Sequence, residues 1–332
     1  MLILSQSDVE RLLPMRECID VMASTLAALA EGLAILPLRT VILIPQTDAF
    51  AVMPGYLASP KTVGAKVITV FPRNEGTQYD AHQGAVLLFD PEIGTLAAVL
   101  DATAITTTRT AAVSAVATRL LAREDASTLA IVGAGVQAHA HLESMCCVRP
   151  ITALRVWSRD ASHAETLADV ARTQLGLDAS VSPTCADAVR DADIVCTTTS
   201  ARSPVLEGAW LSPGTHVNAI GASQASAREL DSEAVVRSRL YVDRRESALK
   251  EPGDILVPLN DGDIGPDHIV GEIGELLIGR APGRRDREEI TLFKSLGLAV
   301  DDLAAARHVY ERAVAANVGT RVELGGVRHA SR

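Results

Sequence analysis

The sequence predicts an α/β chain of two parts, a doubly wound nucleotide-binding domain and an α+β domain that largely precedes it. A glycine turn, Gly133-Ala134-Gly135-Val136-Gln137-Ala138, lies between an apolar run at 129–132 and a helix, and a second apolar run at 154–157 completes a strand–helix–strand unit. The long segment ahead of that turn is rich in short β-type runs and needs a role of its own. With 332 residues, 48% of them hydrophobic, the chain is large enough to bury two cores.

In the first part, Ser5 to Asp8 form a helix start before 9–13, and 15–31 is an amphipathic helix ended by Gly32. Strand-like runs follow at 39–45, 49–54, 62–71, 83–90 and 95–101, the last two joined as a hairpin by the turn Pro91-Glu92-Ile93-Gly94. The alanine-rich stretch 103–123 has helical period and links the two parts. After the glycine turn and the strand at 154–157 come a helix at 162–175, a strand at 179–181, a helix at 185–192 and strands at 194–199, 215–221 and 240–243. Such alternation is that of a doubly wound sheet. A terminal helix at 301–318 is expected to fold back on the first part. The domains are therefore drawn as 1–120 with 300–332, and 121–299.

Composition excludes several classes of partner. The net charge is −10 with scattered basic residues and 3% aromatics, so no nucleic-acid partner is expected. No apolar run approaches the roughly 20 residues that span a bilayer, and the first residues lack a basic stretch and cleavage site. The expectation is a cytoplasmic protein without a membrane partner. The five cysteines, Cys18, Cys146, Cys147, Cys185 and Cys196, show neither C-x-x-C spacing nor a histidine pattern, so they read as small core hydrophobes with no metal and no disulfide framework.

In a turn of this kind the first glycine lets the backbone reverse and the second lets it approach a pyrophosphate. The third position, here Ala138, lets the helix lie close to the strand. Gly133, Ala134, Gly135, Val136 and Gln137 are thus candidate cofactor residues, although glycine turns also serve packing alone. The strand at 154–157 runs into Ser158, Arg159 and Asp160. An acid there accepts ribose hydroxyls and an arginine pairs with a 2′-phosphate, so Ser158 and Arg159 favour NADP(H). The alternative is NAD(H), with Arg159 solvated and Asp160 on the ribose. Thr197, Thr198 and Thr199 end a strand on the ligand edge, where hydroxyls can line a cofactor or simply follow β propensity.

Hydride transfer needs a polar surface facing the nicotinamide, and the first part supplies candidates. Arg39 starts a strand, Lys66 lies inside an otherwise apolar strand, and Arg109 interrupts an alanine- and threonine-rich helix. A cation in such a place is costly unless it is paired or faces a site. Singly each is equally a snorkelling or salt-bridged side chain; together they can hold a carboxylate. His82 is a candidate proton donor or cofactor contact, or a structural histidine.

The segments Leu38-Arg39-Thr40, Gly64 to Val67, His82-Gln83, Thr108 to Ala112, Gly133 to Gln137, Val217 to Ser223 and Phe293 to Gly297 stand in the order and spacing of a known family. Over nearly its whole length the chain resembles the ornithine cyclodeaminase/mu-crystallin family. The resemblance implies a homodimer built by the first domain and a tightly held nicotinamide cofactor. It also implies an active site between domains and substrate-carboxylate ligands at Arg39, Lys66 and Arg109. Ile220 and Ala222, on either side of Gly221, complete the expected cofactor contacts.

One departure directs the chemistry. The cyclodeaminases of that family carry an aspartate and, four residues on, a lysine after this glycine; the positions here are Ser223 and Ala227. A serine has no carboxylate with which to take a proton near neutral pH. The stretch 221–230 and the turn Trp157-Ser158-Arg159 are instead similar to the mu-crystallin and ketimine reductase branch. The expected reaction is NADPH-dependent reduction of a cyclic imine, Δ1-pyrroline-2-carboxylate or Δ1-piperideine-2-carboxylate, to proline or pipecolate. In it Lys66, Arg109, Ser223 and His82 form the catalytic group, and the partner is a small cyclic imino or amino acid. The alternatives are an alanine or N-alkyl amino-acid dehydrogenase, then an ornithine cyclodeaminase, and, without catalysis, an NADPH-dependent small-ligand binder.

Overall fold

A computed structural model describes residues 1–45, 48–74 and 76–325. The chain divides into two compact units, Met1–Arg109 with Leu298–Arg332, and Thr110–Gly297.

The first unit begins with β1 (Leu2–Leu4) and α1 (Gln6–Leu12), where Ser5 and Asp8 form a reciprocal cap. Helix α2 (Met15–Ala30) stops at Gly32, whose φ of +79° suits a residue without a side chain. Strands β2 (Ala34–Ile35), β3 (Thr40–Ile44), β4 (Asp48–Ala58), β5 (Lys61–Val70), β6 (His82–Phe89) and β7 (Leu96–Asp101) follow, β6 and β7 as the antiparallel hairpin expected. They build one sheet in the order β1-β7-β6-β5-β4-β2, with β3 also on β4. Its register sets Met53, Lys66, Val86 and Leu100 side by side across four strands, all buried. In an antiparallel sheet, residues opposite one another share a face. Lys66 therefore points with Met53, Val86 and Leu100 to the covered side. Helix α3 (Ala102–Leu121) comes next, and the division between the units falls within it.

The second unit alternates strand and helix: β8 (Thr128–Val132), α4 (Val136–Val148), β9 (Ala153–Trp157), α5 (Ala161–Leu175), β10 (Asp178–Val181), α6 (Cys185–Val189), β11 (Ile194–Thr197) and β12 (His216–Ala219). It continues through α7 (Ser232–Val236), β13 (Arg239–Val242), α8 (Arg245–Ala248), α9 (Gly253–Asp261), β14 (Ile269–Glu272), α10 (Ile273–Leu277) and β15 (Thr291–Lys294). The strands form an eight-stranded sheet in the order β10-β9-β8-β11-β12-β15-β13-β14, every neighbouring pair parallel. This is a Rossmann-like doubly wound sheet. Its order reverses between β8 and β11, and ligands bind such sheets outside the carboxyl ends of the strands at that reversal.

Two strands of this sheet, β14 and β15, are absent from the sequence-based element list. The strand expected at 194–199 ends at Thr197, since Thr199 turns its amide onto Glu229. The helix expected at 185–192 ends at Val189 because Arg190 leaves helical geometry and Asp191 has φ +55°. Of the cysteines, Cys18, Cys185 and Cys196 are buried, while Cys146 and Cys147 are half-buried on α4.

The chain then returns to the first unit as α11 (Ala299–Ala316) and β16 (Thr320–Arg321), the latter pairing with β1. Helix α11 lies close on β4 and β5 because glycines stand beneath it. A Cβ at Gly64 would be 2.7 Å from Leu303 Cδ2, and one at Gly55 3.1 Å from Leu303 Cδ1. Among the described residues no helix is long and apolar enough to cross a membrane.

Candidate active site

Lys66 is 1% exposed in the middle of β5, and its ammonium donates to Thr106 Oγ1 at 2.6 Å and Asp302 Oδ1 at 3.1 Å. Arg109 lies three residues beyond Thr106 on α3, a spacing that puts both on one helix face. Its Nε donates to the same Asp302 oxygen at 2.9 Å. The structure thus brings Lys66 and Arg109 together on a carboxylate that sequence analysis missed. Asp301 and Asp302 stand in the first turn of α11, where an acid is ordinary. Both are fully buried.

Burial pushes the Lys66 ammonium down to about 8, against the attraction of Asp302 and with the repulsion of Arg109 and Arg39. Arg39, partly exposed ahead of β3, thus acts electrostatically on the same group. Three cations, Lys66, Arg109 and Arg39, thus act on one another beside the buried Asp302, and a carboxylate is the kind of group such cations can hold.

His82 is half-buried at the start of β6, and its carbonyl accepts from Thr103 Oγ1 at 3.1 Å. Burial, reinforced by Lys66 and Arg109, lowers its ring to about 4. Near neutral pH the ring is neutral and has no imidazolium proton to give.

In the second unit, Gly133 follows β8 with φ +107° and donates its N–H to Trp157 O at 2.8 Å. A Cβ there would stand 2.9 Å from Thr198 O and Oγ1, so the position excludes a side chain. Gly135 differs: it is the N-cap of α4, and a Cβ on it would meet nothing within 4 Å. No side chain caps α4, so its first amides, among them Val136 and Gln137, face this open space. A glycine beside uncapped amides fits a dinucleotide pyrophosphate. Ala134 and Gln137 are half-buried, Val136 is exposed, and Ala138 is fully buried between helix and sheet.

After β9, Ser158 is half-buried and Arg159 exposed. The Asp160 carboxylate accepts from Ser162 N at 2.8 Å and Ser162 Oγ at 2.6 Å, so this acid is engaged as the cap of α5.

The hydroxyls of the threonines at the end of β11 donate within the protein. Thr197 Oγ1 donates to Glu229 Oε2 at 2.8 Å, while Thr199 N and Oγ1 donate to Glu229 Oε1 at 2.6 and 2.7 Å. Thr198 Oγ1 donates back to Val132 O at 3.3 Å. Glu229 also accepts from Gly221 N at 2.6 Å, which ties the loop after β11 to the loop after β12. Burial pushes the Glu229 carboxyl up, with Lys294 opposing. Asp254 supports this from beneath. It accepts from Glu229 N at 2.8 Å and Leu230 N at 3.0 Å, and its other oxygen lies 2.9 Å from Lys294 Nζ. Glu229, Asp254 and Lys294 are fully buried and went unnoticed in the sequence, because only the fold brings the ends of three strands together.

On the loop after β12, Ile220 and Ser223 are half-buried, whereas Ala222 is fully buried. Lys66, Arg109, Arg39 and His82 belong to the first unit, and Ser223 with the turn residues to the second.

A family model, the ornithine cyclodeaminase/mu-crystallin family, matches residues 1–317. The ketimine reductase mu-crystallin of Mus musculus is 42% identical over 282 residues, which cover 85% of this chain and 86% of that protein. The Thermococcus litoralis Δ1-pyrroline-2-carboxylate reductase, solved with NADH and L-proline, has 39% identity and a TM-score of 0.95 over 97% of this chain and 100% of its own. An archaeal alanine dehydrogenase dimer with bound NAD has 34% identity and a TM-score of 0.93, covering 98% and 99% of the two chains. Motifs, fold and comparisons agree that the chain belongs to the ornithine cyclodeaminase/mu-crystallin family.

Proposed function

We propose that this protein reduces cyclic ketimines with NADPH, taking Δ1-pyrroline-2-carboxylate or Δ1-piperideine-2-carboxylate to L-proline or L-pipecolate. It is an oxidoreductase acting on C=N bonds with a nicotinamide cofactor. The observation that carries this reading is the state of Glu229, the one acid in the stretch 221–230. It is buried and accepts from Thr197, Thr199 and Gly221, so it offers no base to an amino group or a water. Ser223 supplies none either. Cyclising deamination needs such a base, whereas a protonated imine accepts hydride through positioning and electrostatics.

Arg39, Lys66 and Arg109 hold the substrate carboxylate, the arginines as planar forks and Lys66 through the N–H that Thr106 and Asp302 leave over. Ser223 and the neutral His82 shape the site or relay a proton to nitrogen. Gly133, Ala134, Gly135, Val136 and Gln137 cradle the pyrophosphate, Ser158 and Arg159 the 2′-phosphate, and Thr198 with Ile220 the remainder. When bound, the cofactor supplies hydride for the imine carbon. The NADPH preference is supported by exposed Arg159 beside the engaged Asp160. The Thermococcus reductase and the archaeal alanine dehydrogenase were solved with NADH and NAD, which makes NAD(H) the second candidate.

A homodimer is also proposed, built by the first unit. Strand β3 presents Val41, Ile42 and Leu43 at 46%, 58% and 80% exposure, an apolar row that a second copy would cover. The archaeal alanine dehydrogenase is a dimer.

The deciding experiment measures oxidation of NADPH and of NADH against five- and six-membered cyclic imines. Steady turnover with a preformed ring supports the reading. Turnover only with ammonia and a 2-oxo acid replaces it with an amino-acid dehydrogenase, the reading favoured by the 34% identical archaeal protein. Release of ammonia from ornithine without net change in cofactor absorbance replaces it with a cyclodeaminase. Binding of NADPH with no turnover leaves a ligand-binding protein.

A further inference from the structure

We propose that Asp302 is the positioning residue of the carboxylate clamp, its one buried carboxylate holding Lys66 and Arg109 together and keeping Lys66 charged. This rests on the reading of Lys66 and Arg109 as substrate ligands. Both cations use the same oxygen, Oδ1, at 3.1 and 2.9 Å. A shared oxygen keeps Nζ and Nε close enough to address one substrate carboxylate. The other oxygen, Oδ2, is buried and accepts no hydrogen bond among the described residues, so the acid is not held by donors of its own helix.

The groups facing Lys66 come from every element around it: Thr106 and Arg109 from α3, Arg39 from the segment ahead of β3, His82 from β6 and Asp302 from α11. Only Asp302 among them is negative. A guanidinium keeps its proton under nearly all conditions, whereas a buried ammonium gives its proton up readily. Loss of the Asp302 charge therefore discharges Lys66, and a neutral amine holds a carboxylate ion poorly. The downward shift of Lys66 to about 8 agrees. The clamp is charged below that pH and weakens as pH rises through it. Without Asp302 the same loss falls at lower pH.

The test is calorimetric binding of pyrrole-2-carboxylate, a planar carboxylate probe, to protein carrying oxidised cofactor, from pH 5.5 to 9.5. Imine reduction is followed on the same preparations. In the wild type, affinity is expected to fall on an alkaline limb. In Asp302→Asn that limb moves at least one pH unit acidward, so that affinity at pH 7.5 drops about threefold or more while binding at pH 6 largely recovers. Asp302→Glu restores part of the shift. Thr106→Val, close in shape, moves the limb in the same direction by less and covers the case in which Asp302→Asn does not fold. In a Lys66→Met background the limb is gone and Asp302→Asn moves nothing further, which a merely structural role would not produce. A limb unmoved in Thr106→Val and Asp302→Asn, or moved equally in the Lys66→Met background, overturns the assignment. Probe binding that follows the expected pattern in a protein that reduces no imine overturns the reductase reading and leaves Asp302 assigned.

Discussion

Arg159 is exposed just beyond β9 while the neighbouring Asp160 carboxylate accepts from Ser162, and on the proposed reading a 2′-phosphate would meet the Arg159 guanidinium. A charge-assisted hydrogen bond contributes about 1.5–3 kcal/mol. Replacing Arg159 by alanine is therefore expected to raise the KM for NADPH by about 10- to 100-fold and to leave that for NADH unchanged. Steady-state kinetics with both cofactors checks this, and an equal loss with both would remove Arg159 from the phosphate. Single residues were legible in the sequence wherever they broke a pattern. Lys66 inside an apolar strand and Arg109 inside an alanine-rich helix are such breaks, and both prove buried. Their counter-ion was not legible. An aspartate in the first turn of a helix satisfies the helix dipole by itself, and nothing local marks Asp302 as turned inward. Glu229 was hidden for a related reason, since Thr197 and Thr199 come from the end of β11 and Gly221 from the start of its own loop.

Among the elements, the turn between β8 and α4 separates two uses of glycine that look alike in the sequence. At Gly133 the backbone has φ +107° and a Cβ would be 2.9 Å from Thr198, so Gly133→Ala is expected to cost about 1–3 kcal/mol of stability. At Gly135 a Cβ meets nothing within 4 Å, so Gly135→Val should keep its melting temperature within about 2 °C. Its loss is in binding, because the added methyls fill the space over the uncapped α4 amides. Thermal melts with and without dinucleotide distinguish the two. Gly135→Val that still gains its full melting shift from cofactor would remove this turn from the pyrophosphate site. Long or strongly patterned elements, α2, α5, α11 and the β6–β7 hairpin, were readable from periodicity and caps. Strands β14 and β15 were not, because each holds only two adjacent apolar residues, Ile269-Val270 and Leu292-Phe293, and ends on a charge.

For the whole molecule, the exposed row on β3 makes the oligomeric state testable. Leu43→Glu places a charge on the side chain that is 80% exposed there, and light scattering is expected to show a dimer shifting to monomer with far-ultraviolet dichroism unchanged. A dimer that persists would locate the interface elsewhere. The doubly wound order was legible from alternation and one glycine turn. The first sheet was legible only as a set of strands, since its pairing includes β1 and β16 from near opposite ends of the chain. That threading orders events during synthesis. The second unit is continuous in sequence, whereas the first waits for residues beyond 297. On a ribosome, Lys66 and Arg109 exist long before Asp302 is made, and the bed formed by Gly55 and Gly64 stays uncovered until α11 emerges. A chain interrupted after residue 297 would thus release a doubly wound unit joined to an unfinished sheet in which Lys66 and Arg109 lack Asp302, which makes the proposed anion site the last part of the molecule to come into being.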